Sequence, residues 1–254
     1  MNYLDTNTIY NMDCVLGMSI MEPKSVDLVI TDPPFGIGFG AKTGSYNRDS
    51  SLVLEGYNEI DQRSYLTFTF DWLSNVHKVL KDSGSVFIFS GYNNLKDILT
   101  MIDNLHFTLI NHLIWKYQFG VVCKRKFVTS HYHCLFVCKD DKKRQFYNCC
   151  RFQQDDASET GGSARYKDME DVWTINREYW AGDEKTPTKL PREVVDKLLA
   201  YTSQPGDLVL DPFLGSGQVA VVSKLAGRRF IGFEIVPAYW EFAQRRLDAN
   251  TYRL

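Results

Sequence analysis

Two short apolar runs, far apart in the chain, each end on an aspartate beyond which no strand can continue. Val26-Asp27-Leu28-Val29-Ile30 runs into Thr31-Asp32-Pro33-Pro34. Proline cannot continue a central strand, so the strand must stop there. Leu208-Val209-Leu210 runs into Asp211 and then Gly215-Ser216-Gly217, which opens a helix. Each run thus delivers an acid to the carboxyl end of a buried strand. That is the end at which open α/β sheets hold their ligands.

The rest of the chain alternates in the same way. Tyr65, Leu66, Phe68, Trp72, Leu73, Val76 and Leu80 recur at helical spacing, and Asp82-Ser83-Gly84 ends that helix. Val86-Phe87-Ile88-Phe89 is the next strand; a helix over 93–104, capped near Asn93-Asn94, and strands over 107–115 and 131–138 follow. Val194, Val195, Leu198 and Leu199 mark another helix. A helix over 218–226, a strand from Arg229 to Glu234 and a helix from Pro237 complete the pattern. Strands alternating with helices predict an α/β fold with a doubly wound, mostly parallel sheet. Residues 36–58 read as a long loop, and 140–185 as a polar, weakly periodic insertion. The expected division is 1–139, the 140–185 insertion as a recognition segment, and 186–254 as the second half of the same domain.

Charge is uneven. The chain of 254 residues carries −2 in total, yet residues 116–151 hold nine cations against Asp140 and Asp141, or +7. Lys124, Arg125, Lys126, Lys142, Lys143 and Arg144 are its core. Aromatic residues are interleaved: Trp115, Tyr117, Phe119, Phe127, Tyr132, Phe146 and Tyr147. This mixture suits phosphates and unstacked bases. No apolar stretch is long enough for a membrane span, and no secretory signal opens the chain. The expectation is a cytoplasmic protein with reduced cysteines. The six cysteines contain no Cys-x-x-Cys pair, and His133 and Cys134 point to opposite faces of a strand. No metal site is expected.

The glycine turn after Asp211 lets backbone approach a ligand closely. Glu234, seventeen residues past Gly217, ends the next strand, where an acid can bind two ribose hydroxyls. A dinucleotide site is disfavoured, because Val219 and Ala220 stand where a third glycine belongs and Asp211 would repel a pyrophosphate. Negative charge instead suits a cationic nucleoside such as S-adenosylmethionine. Asp32-Pro33-Pro34-Phe35 supplies a second half of the chemistry. The Asp32 carboxylate and the Pro33 carbonyl form an acceptor pair for the two N–H bonds of an exocyclic base amine. Two prolines preorganise that pair, and Phe35 offers a flat face to a base turned out of a duplex.

With both segments in this order, the chain resembles the β group of amino-methylating DNA methyltransferases. Asn11-Met12-Asp13-Cys14, Ser25 to Phe35, Asp171-Val172-Trp173, Thr186-Pro187-Thr188, Pro205 to Gly217, and Glu234 with Tyr239, Ala243 and Arg246 carry the resemblance. It implies a Rossmann-like fold whose seven-stranded sheet has one antiparallel strand. It also implies a site-specific enzyme using S-adenosylmethionine, with Asp32, Pro33, Pro34 and Phe35 catalytic. Asp13, Thr188, Asp211, Phe213, Gly215, Ser216, Gly217 and Glu234 would hold the cofactor. Asp at position 32 leans toward adenine N6, with cytosine N4 the alternative. A non-catalytic DNA-binding homologue and an RNA or protein amide methyltransferase are less favoured. Partners would be DNA, a second copy of the chain and a cognate restriction endonuclease, in a prokaryotic, archaeal or viral host cell. The family usually has Tyr at Phe35, where stacking survives but the phenol hydroxyl is lost; it has Lys at Leu190 and Thr at Gln218, and no roles are carried to those two positions.

Overall fold

The structure is a computed structural model that describes residues 4–34, 60–118, 120, 122, 124–178 and 189–249. The expected loop over 36–58, Phe35, Phe119 and Thr186 to Thr188 lie outside the described residues. Strands β1 (Thr8–Tyr10), β2 (Val26–Thr31), β3 (Leu80–Ser90), β4 (Thr108–Lys116), β5 (His131–Cys138), β6 (Val172–Thr174), β7 (Leu208–Asp211) and β8 (Arg229–Phe233) form one sheet in the order β1-β8-β7-β2-β3-β5-β4-β6. Only β5 runs antiparallel to its neighbours. The mostly parallel sheet is as expected, with eight strands rather than seven. Two three-residue strands, β1 and β6, are too short to give a period of their own in the sequence.

The helices are α1 (Cys14–Ser19), α2 (Tyr65–Val79), α3 (Tyr92–Asn104), α4 (Ala164–Asp168), α5 (Arg192–Thr202), α6 (Gln218–Leu225) and α7 (Pro237–Asp248). Alternation along each strand explains how they are shared between faces. Val29, Val86, Ile88 and Leu210 pack with Trp72, Val76, Ile98 and Ile102 of α2 and α3. Leu28, Ile30, Phe87, Phe89 and Val209 pack with Val194, Val195, Leu198 and Val222 of α5 and α6 on the other side. A third cluster joins Ile9 and Phe230 to Ala220, Ala243 and Leu247 of α6 and α7.

Two local expectations change. Asp82-Ser83-Gly84 does not end α2, which stops at Val79, but lies inside β3: Val26 pairs Leu80 but Leu28 pairs Ser85, so the extra residues bulge out of the ladder. Gly91, not Asn93 or Asn94, is the N-cap of α3, and Asn94 is buried in its first turn. No described helix is long and apolar enough to cross a membrane.

Candidate active site

The carboxyl ends of β2, β7 and β8 meet around a cavity of about 240 Å³. Its walls include Asp13, Asp32, Pro34, Asp211, Phe213, Gly215, Ser216 and Glu234, together with Lys189, Leu190, Gln218 and Tyr239. Asp211 pairs in register with Gly232, and Val29 with Leu210, so Asp32 and Asp211 end neighbouring strands. Burial pushes the Asp32 carboxyl up to about 7. Burial pushes Asp211 up to about 8 against the pull of the Phe213 N–H, and the nearby Asp32 and Glu234 charges raise it further. Asp32 Oδ1 is buried with no hydrogen-bond partner among the described residues. A buried acceptor left unmatched favours a ligand that brings donors or positive charge.

The turn between β7 and α6 is built by its neighbours. Phe213 N–H donates to Asp211 Oδ1 at 3.1 Å, and Leu214 N–H donates to the Phe233 carbonyl at 2.9 Å. Leu214 can sit there because position 232 is glycine: a Cβ on Gly232 would come within 2.6 Å of Leu214 Cδ1. Gly217 caps α6 with φ +76°, and a Cβ there would lie 2.7 Å from Ala243 Cβ of α7. Phe213 packs on Phe68 and Trp72, with ring centroids 5.6 Å apart in each pair. Glu234 Oε1 accepts the Val236 N–H and Oε2 the Gly215 N–H, both at 2.8 Å. Burial raises its pKa while these N–H groups lower it. Each oxygen keeps acceptor capacity for a further donor, as ribose hydroxyls would require. Asp13 Oδ1 caps α1 by accepting the Leu16 N–H at 3.0 Å.

Other residues of the site stand outside both motifs. Lys189 lines the cavity with a side chain only 6% exposed and donates to Glu178 Oε1 at 2.7 Å. Glu178 Oε2 accepts from Arg192 N–H and from Gln218 Nε2. Arg246 Nη2 donates to Gln218 Oε1 at 2.6 Å, and its Nη1 donates to the Ser216 carbonyl. Thus Gln218, which replaces the usual threonine, joins α7 to the chain before α5. Only the unusual neighbouring residues, Lys189-Leu190, hint at this in the sequence.

The basic stretch is divided by the fold. Lys116 pairs His131 at the site edge, so the connection holding Lys124, Arg125 and Lys126 projects from that edge. All three are exposed. Because β5 is antiparallel, it carries the chain back to the far edge, where Lys139 donates to the His77 and Leu80 carbonyls. Lys142, Lys143 and Arg144 follow there, with Lys143 paired to Asp140 and Arg144 to Asp141. Arg144 also lies over the Phe136 and Phe146 rings. The six cations therefore do not form one patch. The segment that follows is held to α5 at two points, by Tyr147 N–H on the Tyr201 carbonyl and by Asp168 with Lys197 and Tyr201. Only through β6 does this segment return to the site edge, where Ile175 accepts from Trp115 Nε1. No metal-binding cluster exists among the described residues.

Comparison with known proteins agrees with this geometry. The family model described as DNA methylase, of the N6/N4 methyltransferases, matches residues 26–245. The Type II methyltransferase M2.DpnII of Streptococcus pneumoniae is 30% identical over 250 residues, covering 95% of this chain and 90% of that protein. Among solved structures, M1.HpyAVI in complex with S-adenosylmethionine superposes with TM-score 0.66 at 20% identity, over 95% of this chain and 98% of that one. The cytosine-N4-specific PvuII DNA methyltransferase reaches 0.71 at 18% identity, over 98% and 97%. The chain belongs to the N6/N4 DNA methylase family and is an S-adenosylmethionine-dependent DNA methyltransferase.

Proposed function

We propose that the chain methylates adenine N6 within a specific DNA sequence, with cytosine N4 as the alternative. The observation that carries this reading is the buried Asp32 Oδ1 on the cavity wall, without a hydrogen-bond partner among the described residues. An exocyclic amine is a weak nucleophile because its lone pair is delocalised into the ring. Asp32 and the Pro33 carbonyl accept its two N–H bonds and draw the nitrogen toward tetrahedral geometry. Pro33 and Pro34 hold these acceptors in place, so no reorganisation is needed as charge develops. Phe35 stacks on the base. Aspartate rather than serine at this position is what favours adenine.

S-adenosylmethionine, when bound, supplies an electrophilic methyl group on a sulfonium. Four carboxylates line the cavity, those of Asp13, Asp32, Asp211 and Glu234, and they suit its positive charge. Glu234 would hold the ribose, Asp13 the adenine end, and the Asp211 to Gly217 turn with Phe213, Gly215 and Ser216 the centre; Thr188, which the resemblance also assigns to the cofactor, lies outside the described residues. Transfer is a single displacement without a covalent enzyme intermediate, and positioning provides most of the rate.

DNA lies along the edge carrying Lys124, Arg125 and Lys126. Sequence reading belongs to the part of the 140–185 segment that returns to this edge. A second copy of the chain and a cognate restriction endonuclease are its further partners, in the cytoplasm of a prokaryotic, archaeal or viral host cell. Transfer of tritiated methyl groups to DNA followed by nucleoside analysis tests the base; N4-methylcytosine as sole product would overturn the adenine assignment. Sequencing the methylated plasmid maps the site.

A further inference from the structure

We propose that Phe127 is a wedge that enters the DNA base stack as the target base leaves it. The proposal rests on the reading that DNA lies along the edge carrying Lys124, Arg125 and Lys126. Most aromatic residues of the basic stretch turn out to be structural. Trp115 and Tyr117 are buried, Tyr132 stacks on Trp115 at 5.6 Å, and Phe146 stacks on Tyr201 at 5.4 Å. Phe127 is 98% exposed, directly after the three exposed cations. None of those cations pairs with an acid among the described residues, in contrast to Lys143 and Arg144.

The projection has a fixed stem. Tyr117 N–H donates to the Ser130 carbonyl at 3.0 Å, and the Tyr117 hydroxyl donates to the Thr129 carbonyl at 3.4 Å. Gly120 lies so close to the opposite side that a Cβ there would overlap the Thr129 carbonyl oxygen. Arg177 lies over the Tyr117 ring, 3.9 Å from its centroid. The stem is therefore held together on both sides, and Phe127 beyond it is left in solvent. Along the sheet, β5 is two strands from β2. At the usual strand spacing the stem stands about 10 Å to the side of Asp32, on the same edge. An exposed apolar side chain directly after three cations, on a stem at that distance, suits insertion between bases, with the cations on the phosphates. Filling the gap offsets the unstacking that an extruded base leaves behind.

The test compares wild type, Phe127→Ala and Phe127→Trp on three forms of the mapped site: duplex, duplex with an abasic position opposite the target, and single strand. The expected result for Phe127→Ala is a duplex-to-single-strand rate ratio lowered at least about tenfold, recovered on the abasic duplex, where extrusion is easier. Phe127→Trp keeps the wild-type ratio. Equal loss on duplex and single strand, no loss on duplex, or a wild type confined to single strands would each overturn the wedge. Wild-type enzyme that methylates no DNA in any form would overturn the underlying reading as well, whereas failure of the wedge alone leaves wild-type methylation intact. Calorimetric binding of S-adenosylmethionine confirms that each variant is folded.

Discussion

Glu234 Oε2 accepts the Gly215 N–H at 2.8 Å, tying the acid at the end of β8 to the turn that follows β7. The same carboxylate accepts the Val236 N–H through its other oxygen. Glu234→Gln keeps the shape but turns an amide donor toward one of these N–H groups. Charge-assisted hydrogen bonds are worth about 1.5–3 kcal/mol. Titration calorimetry should show S-adenosylmethionine binding weakened by about tenfold to a hundredfold. Affinity within threefold of wild type would remove Glu234 from the cofactor site.

Gly217 and Gly215 both adopt positive φ, yet they should respond differently to alanine. At Gly217 the new Cβ meets Ala243 Cβ at 2.7 Å; at Gly215 the nearest atom, the Phe213 carbonyl oxygen, is 4.0 Å away. Gly215→Ala then costs only the left-handed backbone, about 1 kcal/mol. Gly217→Ala adds overpacking against α7, for about 2–4 kcal/mol in all. Urea unfolding of the two variants checks the order. Adding Ala243→Gly should restore part of the Gly217→Ala loss and none of the Gly215→Ala loss.

Asp32 predicts a pH dependence whose sign is fixed by burial. Its carboxyl is raised from 3.8 to about 7 in the folded protein. The folded chain therefore holds a proton that the unfolded chain has lost between those values, so this contribution to stability is complete below about 4 and is lost as pH rises through about 7. Activity runs the other way, since the amine needs an acceptor. With DNA well below saturation, kcat/KM, which reports groups of the free enzyme, should rise with pH through the neutral range. Asp32→Asn should abolish most activity and make the stability decline over the same range shallower, leaving the part due to Asp211, whose buried carboxyl is also raised, to about 8. A wild-type rate independent of pH from 5 to 8 would contradict the role of Asp32.

Much of this site is legible in the amino-acid sequence. Asp32 and Asp211 end continuous apolar runs, and strand ends of that kind point to one edge of a parallel sheet. The position of Lys142, Lys143 and Arg144 is not legible there. Charge along a chain does not reveal that β5 reverses direction and carries them to the far edge. The β1 and β6 strands are hidden for another reason: three residues make too few alternations to register. The role of Gln218 depends on Glu178 and Arg246, which lie 40 and 28 residues away in sequence. Spacing within a segment says nothing about such a contact.

Lys189 and Glu178 predict a coupled loss. Lys189 is almost fully buried, and burial lowers its pKa while Glu178 raises it. Glu178→Gln leaves that cation without its carboxylate and also weakens the contacts to Arg192 N–H and Gln218. A loss of about 1–3 kcal/mol in thermal or urea unfolding is expected. Glu178→Gln combined with Lys189→Met should cost less than the sum of the single changes, because the cation that Glu178 faces is gone as well. Additive losses would mean that the pair contributes nothing of its own.

The two halves of the basic stretch should act differently on DNA. Each phosphate contact removed lowers the dependence of log affinity on log salt by about 0.9 for duplex DNA. Replacing Lys124, Arg125 and Lys126 together by alanine should therefore reduce that slope by about 2–3 and weaken binding to all sequences alike. Replacing Lys142 and Lys143 should leave it unchanged, since they lie at the opposite edge and Lys143 is paired with Asp140. Fluorescence anisotropy across a range of potassium chloride concentrations measures both slopes. If the Lys142 and Lys143 variant lost slope and the Lys124, Arg125 and Lys126 variant did not, the DNA would have to lie along the far edge, away from Asp32. The direct attack of a base amine positioned by Asp32 would then have no route to its substrate.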